Sequence, residues 1–356
     1  MPSKKVIVKS ADNRIIYFDY LRVFAIVAVV FLHVAASQWG TVNINSANWH
    51  VFNAFDSIMR WGVSAFVMIS GALFLGKETK TKVLYKKYIF RLLIAYFAWS
   101  IIYALIIGKA KSPLGFLLLV VKGHYHLWFL PMIIGLYMCV PLIKPIVKKK
   151  DTMKYFLLLS LIFAYIIPEF SVITSTFFGG AIGKAVGAIS SFVTNMNIKM
   201  VLGYTGLFVL GYYLSEKKLE KKQRYIIYIC GILCALATVI LSIAATQKAQ
   251  IAKGVFYDNF TVNVLIMAIA VFVWFKYRNY RHQKINKLVA TLSKYSFGVY
   301  LVHVLVLNRF YVWTNLSTTS FAAILSVPTF VILAIVISFA ISAILNHIPI
   351  IKKYIV

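Results

Sequence analysis

Residues 14–38 read RIIYFDYLRVFAIVAVVFLHVAASQ. The run exceeds the ~20 apolar residues that a helix needs to cross a bilayer, yet it carries Asp19, Arg22 and His33. At ~100° per residue these three fall within about 60° of one another on a helix. Arg22 and His33 lie three turns apart, ~16 Å along the axis. An ionisable side chain inside a membrane helix is costly, and it turns toward a bundle interior or a wet cavity. Asp19 and Arg22, near the end of the run, can also be read as anchors that snorkel to the membrane surface. His33 lies too deep in the outer half of the span for that reading.

Working outward, the 356 residues are 61% hydrophobic and only 13% charged, with a mean hydropathy of +0.83. A soluble domain is nearer half apolar and a quarter charged. Long apolar runs separated by clusters of charge predict an all-α, polytopic membrane bundle. The expected spans are about 15–38, 55–75, 86–107, 126–147, 153–168, 200–215, 224–246, 259–276, 293–313 and 321–345, in a single integral-membrane domain over 1–356. The net charge of +29 does not point to nucleic acid, because it alternates between helix ends. With the N-terminus inside, 28 of the 38 Lys and Arg fall in inner segments, beginning with Lys4, Lys5, Lys9 and Arg14, and seven in outer loops. That bias places both termini in the cytoplasm.

Cys139, Cys230 and Cys234 lie in apolar runs and read as packing residues, not as a metal site. The N-terminus has the basic and apolar parts of a secretory signal, but Arg22 and His33 interrupt the core and more spans follow. It is read as an uncleaved first helix. The longest outer connection, 168–199, contains FFGGAIGKAVGAIS. Ala185 follows Lys184 where a phosphate loop needs Ser or Thr, so the segment is expected to be a flexible or interfacial loop.

The second span opens DSIMRWGVSAFVMISGALFLG, with Asp56 and Arg60 spaced to pair on one helix face near the outer surface. A surface pair there would contribute little. Ser70 and Gly71 read as a small-residue packing site. The third begins YKKYIFRLLIAYFAW, with Lys87, Tyr88 and Arg91 at its cytoplasmic end. That cluster suits a phosphate-rich ligand, or it is a topology signal alone. The fourth begins at His126, with Trp128 two residues on and His124 just before. Trp128 fits an interfacial belt, and two histidines without a third ligand make a poor metal site. Near the C-terminus, LSKYSFGVYLVHVLVL places Tyr300 and His303 in the ninth span, His303 at mid-depth.

These segments resemble, in order, the acyltransferase-3 family of bacterial membrane O-acyltransferases. Arg22 and His33 match the family's Arg, ten intervening residues, then His, and Asp19 stands where members commonly have Asp or Glu. Arg60, Phe66, Ser70 and Gly71 match an Arg ahead of a Phe-rich run ending in Ser-Gly, and His126–Leu130 matches a helix beginning Leu-Trp-Phe/Tyr-Leu. Tyr204, Phe208, Gly211 and Tyr212 resemble a Tyr-, Phe- and Gly-rich helix. Ser296, Gly298, Tyr300, Leu301 and His303 resemble the penultimate helix. One departure stands out: members carry two Arg separated by two positions at the third span, and only Arg91 is present, with Tyr88 in place of the first and Lys87 beside it.

The resemblance implies transfer of an acyl group, acetyl foremost, from cytoplasmic acyl-coenzyme A to a hydroxyl of a cell-surface or lipid-linked glycan, in the bacterial plasma membrane. Acetyl-coenzyme A would be a co-substrate, with no bound cofactor and no metal, and the partners would be membrane lipid, acyl-CoA and the glycan. His33 is the candidate base, because histidine titrates near neutrality. Arg22 is the candidate group for donor phosphates or the acyl carbonyl, oriented by Asp19. Arg91, Lys87 and Tyr88 would bind the donor. Arg60, Ser70, His126, Trp128, Tyr300 and His303 would position groups or serve the acceptor, His303 as a partner and not as a second base. The rival reading is a glycolipid or small-solute carrier. Carriers often couple to ions through mid-depth carboxylates, and here Asp19 and Asp56 both lie near span ends.

Overall fold

Within lipid every backbone N–H and C=O has to be satisfied by the segment itself, so each apolar run becomes a helix. The computed structural model describes residues 14–178 and 180–356, and these form helices joined by short connections, with no β-strand among them. Lys4, Lys5 and Lys9 lie outside the described residues.

The first helix, α1 (Ile16–Trp39), is followed by α2 (Ala47–Met59) and α3 (Trp61–Leu75), one span interrupted at Arg60. Next, α4 (Thr81–Val83) runs through a π-helical turn, Leu84–Ile89, into α5 (Phe90–Ile106), and a short α6 (Pro113–Lys122) follows. A 3-10 turn, Tyr125–Trp128, opens α7 (Phe129–Lys148). Then α8 (Lys150–Ser160) and α9 (Ile167–Ile173) continue into each other through a π-helical segment, and α10 (Gly180–Asn195) comes after them. The remaining helices are α11 (Lys199–Glu216), α12 (Lys221–Ala249), α13 (Val262–Tyr277), α14 (Gln283–Thr314), α15 (Ala323–His347) and α16 (Pro349–Tyr354). Local chemistry sets several starts. The Ser46 hydroxyl accepts from the Trp49 N–H, Ser112 does the same for Gly115 just ahead of Pro113, and Glu220 and Gln223 form a capping box.

Among the described residues eight helical spans are long and apolar enough to cross a membrane. The chain is a polytopic helical membrane bundle. All ten expected spans coincide with helices, but α11 and α13 have 18 and 16 residues and are not among those eight. The fifth is longer than expected, helical from Lys150 to Phe178.

One expectation is overturned. The segment 168–199 is not a loop: the chain stays helical through Phe178 and again over Gly180–Asn195. On that helix Ile182, Ile189 and Phe192 share one face at i, i+7 and i+10, and all three are exposed.

Helix α1 occupies the centre, packed against α2, α3, α13, α14 and α15. Its first half joins an apolar core with α3, α7, α11 and α13, and its second half joins another with α2, α5, α14 and α15. The small-residue site is a true crossing. A Cβ on Gly71 would lie 1.8 Å from the Phe208 carbonyl oxygen, and one on Gly211 would lie 2.0 Å from that of Met68. Backbones of α3 and α11 therefore touch, which only glycine permits.

Candidate active site

Because Arg22, Val29 and His33 recur at i, i+7 and i+11, α1 turns all three toward one cavity of about 310 Å³. Arg60 and Phe66 close it from the second span, and His126, Trp128 and Phe129 from the start of the fourth. Tyr257 and Asn259, in the connection before α13, form a third wall, and Ser296, Phe297 and Tyr300 of α14 a fourth.

The protons in this cavity can be traced from a carbonyl. His303 is fully buried, and its Nδ1 lies 2.8 Å from the Tyr300 carbonyl oxygen and 3.1 Å from that of Val299. Carbonyl oxygens only accept, so Nδ1 of His303 carries the proton and its Nε2 keeps a lone pair. That Nε2 lies 2.8 Å from Nδ1 of His33, which must then be the donor. The neutral His33 ring is left with its lone pair on Nε2. The two rings stack at 5.0 Å between centroids.

A second histidine pair lies beside the first. Nδ1 of His124 is 2.9 Å from Nδ1 of His126, and the Tyr300 hydroxyl donates to the His126 carbonyl oxygen at 2.5 Å. The His126 ring is 6.4 Å from that of His33. Among the described residues no group of three His, Cys, Asp or Glu is arranged to hold a metal ion.

Two arginines reach the cavity with carboxylates behind them. Asp19 is 2% exposed, and its Oδ1 accepts from Arg14 Nη2 at 2.9 Å and from the Ser293 hydroxyl at 2.7 Å. Arg22 Nη1 lies 3.8 Å from the same oxygen. At the other arginine the expected surface pair proves to be buried. Asp56 is wholly inaccessible, Arg60 donates to it, and the guanidinium lies 4.1 Å from the centre of the Tyr257 ring. The Tyr257 hydroxyl donates to Asn53 and accepts from Ser57. Helix α2 starts at Ala47, well before the expected 55, which gives Asp56 neighbours on every side.

Lys87, Tyr88 and Arg91 lie elsewhere. They line an open pocket of about 1430 Å³ between the start of α5 and α15–α16, together with Lys82, Lys86, Lys352 and Lys353. Lys87 and Tyr88 sit on the π-helical turn where the resemblance falters. π-turns are frequent at functional sites. Arg91, which lines the pocket, donates to the Val356 carbonyl oxygen and lies 5.8 Å from the ring of Phe297, which lines the cavity. Ser70 does not join Arg60. It is ten residues further along and meets the Tyr137 hydroxyl at 3.5 Å, outside the cavity lining. The spacing along the helix carries it three turns from Arg60, ~15 Å. Trp128 is 42% exposed at the rim.

A protein-family profile described as an acyltransferase domain, acyltransferase 3, matches residues 15–347. The chain belongs to the acyltransferase-3 family. Searches of curated proteins and of solved structures find no match. In this acyltransferase, then, His33, Arg22, Arg60, His126, Trp128 and Tyr300 share one cavity, with Asp19 and His303 directly behind it. Tyr257, Asn259 and Phe297 are lining residues that sequence reasoning missed. They carry no pattern of their own, and only the packing of α13 and α14 against α1 brings them in.

Proposed function

We propose that this acyltransferase moves an acyl group, acetyl foremost, from cytoplasmic acyl-coenzyme A to a hydroxyl of a cell-surface or lipid-linked glycan. It does so in the bacterial plasma membrane, with both termini in the cytoplasm. The observation that carries the reading is the proton chain from the Tyr300 carbonyl through His303 to His33, which leaves a lone pair on Nε2 in the cavity.

His33 Nε2 takes the proton of the acceptor hydroxyl as its oxygen attacks the thioester carbonyl, forming the C–O bond. Arg22 and Arg60 are the cationic donors lining the cavity that can hold the developing oxyanion. As the C–S bond breaks, the imidazolium returns its proton to the departing thiolate. His303 Nε2 faces the charged ring throughout and stabilises it through the Nδ1–H bond. The basic pocket with Lys87, Tyr88 and Arg91 suits the donor's phosphates. From that pocket the pantetheine arm would pass Phe297 to reach His33.

The test is His33→Gln, which keeps a hydrogen-bonding side chain and cannot act as a base. Membranes from cells making the variant should release no thiol from acetyl-coenzyme A above background. Mass spectrometry of their surface glycans should lack the added acetyl mass. Substantial turnover by the variant would remove His33 as the base, and glycan translocation without acylation would favour a carrier.

A further inference from the structure

Tyr103 lies in the last turn of α5, 2% exposed, and sequence reasoning assigns it no role. Its hydroxyl donates to the Leu301 carbonyl oxygen at 2.9 Å and accepts from the Leu305 N–H at 3.1 Å. Residues 301 and 305 are the two ends of one i→i−4 rung of α14, so the phenol clamps a single turn of that helix. His303 is the middle residue of that rung, and its ring is tied to the turn just before by the Tyr300 carbonyl.

The other end of Tyr103 meets the second histidine pair. Its ring stacks on His124 at 4.5 Å and 21°, and meets His126 edge-on at 4.9 Å. His126 is bonded in turn to His124 and, through its carbonyl oxygen, to Tyr300 of α14. One buried side chain from α5 thus braces the His303 turn with its hydroxyl and the His124–His126 pair with its ring face.

We infer that Tyr103 is a positioning residue for the His303–His33 pair, its doubly bonded hydroxyl setting the place of His303 against His33. This inference rests on the reading of His33 as the base. Tyr96 of the same helix gives the comparison, since its hydroxyl donates to the Val121 carbonyl oxygen of α6 at 2.8 Å. Tyr103 bonds both polar groups at the ends of one turn of α14, the turn that carries His303. With the hydroxyl gone, α5 no longer holds this turn of α14, and His303 is free to shift relative to His33. The fold has no reason to fail, but the geometry of the pair does, and displacements of ~1 Å cost about a hundredfold in rate.

The experiment compares Tyr103→Phe, Tyr96→Phe and His303→Gln by thiol release from acetyl-coenzyme A, per mole of folded protein recovered in detergent. Tyr103→Phe should lower kcat by about ten- to a hundredfold with the KM for acetyl-coenzyme A unchanged, while Tyr96→Phe leaves both unchanged. Combined with His303→Gln, it should add little further loss, because both changes disturb the same contact. An unchanged kcat in Tyr103→Phe, or losses that multiply independently with those of His303→Gln, overturns the inference. So does a loss that disappears once activity is counted per folded molecule, since that marks a structural role. His33→Gln separates the two levels: if it is inactive while Tyr103→Phe is unaffected, only the positioning role falls. If His33→Gln is active, the base reading falls, and the positioning role with it.

Discussion

Replacing His303 with phenylalanine keeps a planar ring of similar size in the bundle and removes the acceptor of the His33 Nδ1–H. In the parent protein that bond is 2.8 Å long and His303 is fully buried. Two costs follow. The His33 tautomer with its lone pair on Nε2 now has an unpaired buried donor, worth about 1–3 kcal/mol against it. In the transition state, where the His33 ring is charged, a hydrogen bond to a charged group is lost, worth about 1.5–3 kcal/mol. Taking about 3 kcal/mol as the differential loss, at 1.36 kcal/mol per decade, gives a fall in kcat of about two decades. The KM for acetyl-coenzyme A should not move, because His303 lies behind the cavity and does not line it. His303→Gln should recover part of the loss, since its carboxamide oxygen can accept from the same N–H. Initial rates of thiol release at saturating donor, per folded molecule, measure all three proteins. A His303→Phe enzyme within about threefold of the parent, a difference under about 0.7 kcal/mol, would refute the argument that His303 selects the His33 tautomer.

Two further outcomes concern the fold around the cavity. Arg60→Leu should destabilise the protein by about 3–5 kcal/mol by stranding the buried Asp56 carboxylate, and Asp56→Leu in the same chain should restore stability without restoring activity; thermal melting in detergent and thiol release read the two separately. Gly71→Ala and Gly211→Ala should each abolish recovery of folded protein, because the new Cβ would meet a carbonyl oxygen of the partner helix at 1.8 and 2.0 Å, whereas Gly135→Ala, with nothing within 4 Å, should be neutral by size exclusion.

Much of this architecture is decided by local pattern. Apolar length sets each helix, because a chain in lipid has no other way to satisfy its backbone. The 3.6-residue period puts Arg22 and His33 on one stripe of α1, and Ser70–Gly71 marks the place where α3 meets another helix. Segment 168–199 misled because glycine marks a loop only when no apolar face repeats at helical spacing, and here Ile182, Ile189 and Phe192 do repeat.

What lay beyond the sequence is which stripes meet. His33 and His303 are 270 residues apart, and no spacing along the chain records that their ring nitrogens come within 2.8 Å. The burial of Asp56, the separation of Ser70 from Arg60 and the arrival of Tyr257 at the cavity wall are of the same kind. Periodicity reports the face a residue occupies on its own helix. Contacts between helices depend on crossing points and rotations set by side-chain volumes summed over whole interfaces, such as the glycine crossing of α3 and α11. The chain thus names its reactive histidine by local pattern, while the proton on that histidine is assigned only by a neighbour that the tertiary packing of α14 against α1 supplies.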